Sequence, residues 1–280
     1  MASILHLKRR IQAAQNVSKT TRAMQMIAAS KLKKAQEATL SIRPYVEKLT
    51  NLSANIPQSE KHPYLNQNNI TSKSLIIILS PDKGLCGGLI TNLVREFFHY
   101  QKDQPQSVYL TMGKKIETQV AKFKKEIIAS FVFGTILPTF DLVYPITHII
   151  NEYYLEQKVD SVEVLSTHFD NLFTQKPRLS TLLPIVIPKS EKESDFRLFE
   201  PQACEILPFL LSHYLEMTVY QHLLESYLSE QASRMITMQN ATTNANDIIY
   251  DLRLEYNKTR QARITSEILD IGGGANLAYE

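Results

Sequence analysis

The sequence predicts an α/β protein with a long antiparallel coiled coil, its N- and C-terminal helices bracketing a central α/β domain. Three observations predict it. Larger residues recur every three or four positions over the first fifty residues. The last seventy contain a run of more than sixty with neither proline nor glycine. Between them, short β-branched runs alternate with helical stretches.

The first helix is expected over residues 3–55. MIAASKLKKAQEA, within it, is built from strong helix formers. Ile4, Leu7, Ile11, Ala14, Val17, Thr21, Met24, Ala28, Leu32 and Ala35 give a seam of helical period. Pro44 is expected to kink its end. Fifty residues would extend about 75 Å, so the helix needs a partner along most of its length.

Between the helices the period shortens. Ser74–Ser80 reads as an Ile-rich strand, followed by the turn DKGLCGG and a helix beginning at Leu89. Ser107–Gly113 is a second strand leading into a Lys-rich helix. Phe140–Gln157 reads as a helix whose start is obscured by Pro145. Ser161–Phe169 alternates as a strand, and Leu179–Pro188 is expected to be an edge strand containing Pro184. This order implies an open, Rossmann-like layer over residues 70–190. SEKESD (Ser190–Asp195) is a polar loop.

The last helix is expected over 205–280, pairing with 1–55. Its seam runs Leu211, Tyr214, Thr218, Gln221, Leu224, Leu228, Ala232, Met235, Gln239, Thr242, Asn246, Ile249, Leu252, Tyr256. Gln, Thr and Asn stand where a simple zipper would carry Leu, so this helix is expected to be partly wet or to touch several surfaces. Antiparallel pairing buries both seams. Charge favours it weakly: residues 1–50 carry +8, 51–208 −1 and 209–280 −4.

Composition excludes several classes. At 44% hydrophobic and 21% charged, the 280-residue chain is globular rather than disordered. No apolar run approaches the roughly 20 residues of a membrane span. The start turns amphipathic at once, unlike a secretory signal. Cys86 and Cys204 form neither a disulfide framework nor a metal motif, and the seven histidines form no HxxxH or HExxH pair. No nucleophile elbow or paired carboxylates occur, so no catalytic residue, metal ligand or cofactor site is expected. DKGLCGG lacks the dinucleotide and P-loop spacings; it reads as a tight strand-to-helix turn or a docking surface, with a phosphate cradle as the alternative. The basic face of Lys8, Arg9, Arg10, Lys19, Arg22, Lys31, Lys33 and Lys34 leaves nucleic acid open as a second reading. Arg260, Gln261 and Arg263 offer directional donors to acidic loops of a partner.

These residues carry a resemblance. KTTRAMQMIAASKLKKAQ (Lys19–Gln36), RPY (Arg43–Tyr45), KHPYL (Lys61–Leu65), DKGLCGG (Asp82–Gly88), LFEP (Leu198–Pro201), SEQASRMITMQNATTNA (Ser229–Ala245) and LEYNKTRQARITSEILDI (Leu254–Ile271) follow one another in the order of the gamma subunits of F-type ATP synthases. The resemblance spans nearly the whole chain. It implies a central rotor shaft that lacks a catalytic site and couples ion flow through a membrane ring to ATP synthesis or hydrolysis. Implied partners are three alpha and three beta subunits, an epsilon subunit and the c-ring. Implied rotor–stator contacts are Met24, Lys31, Lys33, Lys34, Arg260, Gln261, Thr265 and Glu267. Asp82, Lys83, Gly84, Leu85, Cys86, Gly87 and Gly88 are expected to dock at the foot. The implied location is peripheral, on the cytoplasmic face of a bacterial inner membrane. The chain departs from the family at its end, where Asp270 replaces the usual Glu and Gly272–Gly274 are expected to loosen the last turns.

Overall fold

The computed structural model describes residues 4–54, 62–65, 71, 73–103, 106–186 and 203–276; the SEKESD and LFEP segments lie outside them. Two compact units emerge, Ala28–Arg234 and Met1–Ile27 with Met235–Glu280. Helix α1 (Ile4–Ala54) and helix α5 (Ala203–Asn276) contribute to both.

The unit 28–234 is built on a five-stranded sheet. Its elements are β1 (Ser74–Leu79), α2 (Leu89–Asp103), β2 (Val108–Met112), α3 (Lys114–Lys122), β3 (Ile127–Phe131), α4 (Val143–Leu155), β4 (Ser161–Phe169) and β5 (Gln175–Leu183). The strand order is β3-β2-β1-β4-β5. Four strands are parallel, and β5 pairs antiparallel with β4. SLIIIL in β1 is buried at every position, as a central strand covered on both faces requires. Leu93 and Phe97 of α2 and Ile116 and Val120 of α3 close one face over Ile76, Ile78, Tyr109 and Leu165. The chain leaves β1 towards β2 and β3, then returns to β4 on the other side. The carboxyl end of β1 is therefore the topological switch point, where open α/β sheets place their sites. DKGLCGG follows it directly.

Three expectations change. β3 was not anticipated: five residues at a sheet edge, four of them half-buried, follow a Lys-rich stretch that masks them. β5 begins earlier than expected and ends before Pro184, which has no N–H to continue a ladder. Pro145 sits in the first turn of α4, where its missing N–H would have no helical acceptor, so the helix tolerates it.

Within this unit α1 and α5 run antiparallel, with Val46 and Leu49 against Met217, flanked by Ile42, Leu210 and Tyr214. Tyr45 Oη and His213 Nε2 are hydrogen bonded at 2.8 Å. Pro44 lies inside α1 and Pro208 inside α5. Leu223 to Ala232 of α5 are all buried, although Glu225, Ser226, Ser229, Glu230 and Gln231 are among them.

In the unit of 1–27 and 235–280 the two helices are also antiparallel. Ser18 Oγ donates to Asn246 Oδ1 at 2.8 Å, and the hydroxyls of Thr21 and Thr242 lie 2.7 Å apart. Leu7, Met238, Ala245, Ile249 and Leu252 are the buried apolar residues. The seam is less polar than expected, because its phase is shifted and the hydroxyl and amide contacts flank an apolar line. Val17 is 53% and Met24 39% exposed, while Ser18 and Gln25 turn inward. On α5, Met238 and Ala245 replace Gln239 and Asn246. The backbone stays helical through Gly272–Gly274.

Candidate partner-docking surfaces

The DKGLCGG turn is fixed from beneath. Asp82 accepts backbone N–H groups of Lys114 (2.9 Å) and Gly134 (2.6 Å), tying β1 to the start of α3 and to the loop after β3. A carboxylate at that helix start also suits the helix dipole. Cys86 is buried, and burial pushes its thiol pKa up, so it is no nucleophile at neutral pH. Leu85, at φ 64°, is thrown outward and is 61% exposed. Lys83, Gly87 and Gly88 are exposed with it.

Helix α5 grips the other side of the turn. Ser233 Oγ donates to Cys86 O at 2.6 Å, and Arg234 Nη2 donates to Lys83 O and Gly84 O, both at 3.3 Å. Arg234 Nη1 pairs with Glu230 Oε1 at 2.6 Å. Glu230 is buried and its pKa is raised by that burial, against the opposing pull of Arg234. Its Oε2 has no hydrogen-bond partner among the described residues. The turn thus shows α5 carbonyl oxygens, whereas an anion cradle presents N–H groups.

The basic group at Lys31–Lys34 divides. Lys31 Nζ donates to Thr135 O at 2.6 Å, an oxygen shared with Tyr227 Oη at 3.2 Å. Lys33 and Lys34 are exposed.

In the other unit, Met24, Arg260 and Gln261 are exposed. The pairing of Thr21 with Thr242 and of Ser18 with Asn246 puts Arg260 opposite the start of α1, about 30 Å from the level of Met24. Residues 261–269 are all exposed, Ile264, Ile268 and Leu269 among them, because α5 runs on past its partner. Thr265 Oγ donates to Gln261 O at 3.0 Å, and Arg263 Nε pairs with Glu267 Oε1 at 2.8 Å. Thr265 and Glu267 are therefore locally engaged, while no bond or ion pair holds Arg260 among the described residues. Sequence reasoning missed an open groove of about 500 Å³ lined by Gln15, Ser18, Lys19, Asn246, Tyr250 and Arg253. Its two cations sit on different helices, so only the register brings them together.

No cluster of three metal-ligating side chains and no helix long and apolar enough to cross a membrane occur among the described residues.

The ATP synthase family model matches residues 3–277. The ATP synthase gamma chain of Dehalococcoides mccartyi is 39% identical, covering 98% of this chain and 99% of its own. That of Methylacidiphilum infernorum is 37% identical, covering 97% of each. In fold, the chain is similar to one in the OSCP/F1/c-ring structure of Euglena gracilis mitochondrial ATP synthase, with a TM-score of 0.72 at 17% identity, covering 98% of this chain and 93% of that one. A chain in the central stalk/c-ring structure of the Tetrahymena thermophila enzyme gives 0.61 at 24% identity, over 79% and 99%.

Proposed function

We propose that this chain, which belongs to the ATP synthase gamma-chain family, is the central rotor shaft of an F-type ATP synthase. It has no catalytic site of its own. It couples ion flow through a membrane ring to ATP synthesis or hydrolysis at a hexamer of three alpha and three beta subunits. The observation that supports this best is the antiparallel helix pair, whose sparse apolar line is flanked by hydroxyl and amide bonds and whose α5 end is left bare. A helix that must slide past successive stator surfaces cannot be greasy all along its length, since a strong apolar grip would favour one orientation.

On this reading residues 1–55 and 205–280 form the shaft and 70–190 the foot, which meets the epsilon subunit and the c-ring. Met24, Lys33, Lys34, Arg260 and Gln261 face the stator. Lys31, Thr265 and Glu267 serve it from their internal contacts. Lys83, Leu85, Gly87 and Gly88 form the outer docking edge of the turn, with Asp82, Gly84 and Cys86 as its fixed base. The assembly holds the chain peripherally at the cytoplasmic face of a bacterial membrane.

The test is ATP-driven ion pumping measured alongside hydrolysis in reconstituted membranes. Arg260→Ala removes an exposed guanidinium and should change folding stability by no more than about 0.5 kcal/mol. Against the stator, however, it loses a charge-assisted contact worth about 1.5–3 kcal/mol if that contact is desolvated. Pumping per ATP should therefore fall while the unfolding midpoint holds. Met24→Lys adds an ammonium that holds one rotor orientation over the others and should steepen the temperature dependence of turnover. If both variants leave the pumping ratio and its temperature dependence unchanged, these residues are not on the coupling surface.

A further inference from the structure

We propose that the groove between the two helices of the unit 1–27 and 235–280 is a seat for an elongated dianion, two oxyanion groups joined by a neutral spacer. Its walls are matching stripes. Gln15, Ser18 and Lys19 stand three and four apart on α1, and Asn246, Ile249, Tyr250 and Arg253 repeat that spacing on α5, so each set shares one helix face. The open volume between them is about 500 Å³. Ile249 is buried and forms part of its floor, while Lys19, Tyr250 and Arg253 are exposed.

The lining is rich in donors. Ser18 Oγ donates to Asn246 Oδ1 at 2.8 Å, which leaves the Nδ2 amide group of Asn246 free to donate elsewhere. Lys19 and Arg253 add an ammonium and a guanidinium, Gln15 a second amide and Tyr250 a phenol. No carboxylate lines the space. Among the described residues neither Lys19 nor Arg253 has an ion pair or a hydrogen bond. The sequence accounts for this. Helix α1 has no acidic residue before Glu37, and Asp247 and Asp251 of α5 are each one position off the lining stripe, on a neighbouring face. Two like charges facing one cleft repel each other. One acid on either stripe would relieve them, and none is there. An anion lying between them removes the repulsion and satisfies the free donors together.

The register sets the ligand's length. Ser18 opposite Asn246 and Thr21 opposite Thr242 put Lys19 level with residue 245, eight residues from Arg253. The two cations therefore stand about 12 Å apart along the axis. Uncharged amides and the phenol lie between, so negative charge is matched at the two ends and not in the middle. Two carboxylates three residues apart on an extended chain, about 10 Å, have that form. A linear polyphosphate has the length but carries charge through its centre, and fits less well. This seat is a property of the chain on its own and does not depend on the shaft reading.

Titrations of the ¹⁵N-labelled full-length chain at low salt, followed by NMR through the Asn246 side-chain amide, test this. The probes are a capped Glu-Gly-Gly-Glu peptide, a capped Glu-Glu-Gly-Gly peptide of equal charge, and inorganic tripolyphosphate. The spaced peptide should bind several-fold more tightly than the other two. Lys19→Gln and Arg253→Gln should each weaken it about fivefold, the upper end for a solvent-exposed ion pair, and should erase the preference for the spaced peptide. Lys122→Gln with Lys124→Gln, which removes two exposed lysines of the other unit, should leave its binding unchanged. All four positions are exposed, so the unfolding midpoints should hold. The proposal is overturned if the spaced peptide does not bind, if the two peptides bind equally, or if the Lys122 and Lys124 replacements weaken binding as much as those at the groove. Tripolyphosphate binding more tightly than the spaced peptide would overturn the neutral spacer and make the groove a polyphosphate site.

Discussion

Gly113→Ala is expected to unfold the sheet or leave it barely stable. Gly113 follows β2 at φ 104°, a conformation that side chains rarely adopt. A Cβ there would lie 1.9 Å from Ser80 O and 2.7 Å from Ser80 C, both backbone atoms that no rotamer change can move. Nor is the backbone free to retreat. Ser80 N donates to Met112 O and Gly113 N to Phe131 O, each at 2.8 Å, so separation would break the stitching of β1 to β2 and of β2 to β3. A clash of this kind plus the φ penalty should exceed about 4 kcal/mol, a large share of the 5–15 kcal/mol that holds a typical domain. Urea unfolding of the full-length chain, followed by circular dichroism, measures it. Gly84→Ala is the control: its added Cβ meets nothing within 4 Å, so its midpoint should stay near the native one. Gly113→Ala unfolding at the native midpoint would show that the strand ends are looser than their geometry.

The sequence displays period more readily than phase. The long helices were legible because sixty residues without glycine or proline and a seam of 3.5-residue repeat have no other economical explanation. Which residues face inward was less legible between Val17 and Gln25, where Ser, Thr, Ala and Met differ little in hydrophobicity and a one-residue slip still reads as a seam. β1 was legible from its isoleucines. β3 was not, because five residues at an edge, four of them half-buried and one exposed, carry little signal after KFKKE. The buried stretch of α5 was the hardest case: Glu225 and Glu230 read as surface residues, yet His168 and Arg43 reach Glu225 from far away in sequence, and the pairing of Glu230 with Arg234 one turn on looks the same on an exposed helix. The docking turn could be found from its glycines, but the hold of Ser233 and Arg234 on it, about 150 residues away, could not.

Replacing Arg234 by Met is expected to destabilise the unit 28–234 by an amount that grows with pH. The substitution keeps an apolar stem and removes three interactions, the ion pair to Glu230 and the hydrogen bonds to Lys83 O and Gly84 O. Glu230 is left buried with both carboxylate oxygens unsupported. An ionised carboxylate in that position costs about 3–5 kcal/mol, and the chain escapes part of this by binding a proton. Burial already raises the pKa of Glu230, and losing Arg234 raises it further. The folded state then binds more protons than the unfolded one wherever pH lies between the two pKa values, so stability falls as pH rises through that window. Below the ordinary carboxylate range Glu230 is protonated in both states, and only the lost hydrogen bonds should register. The gap between Arg234→Met and the native chain should therefore be small near pH 4.5 and approach about 3 kcal/mol at pH 7.5. Adding Glu230→Gln should recover most of the neutral-pH loss without restoring the hold on the turn. Limited trypsin digestion separates these effects: cleavage after Lys83 should be faster in both the single and the double variant, because both free the carbonyls of Lys83 and Gly84. A gap that is flat with pH, or a double variant no more stable than the single one, would mean that Arg234 acts through packing and not by compensating a buried carboxylate.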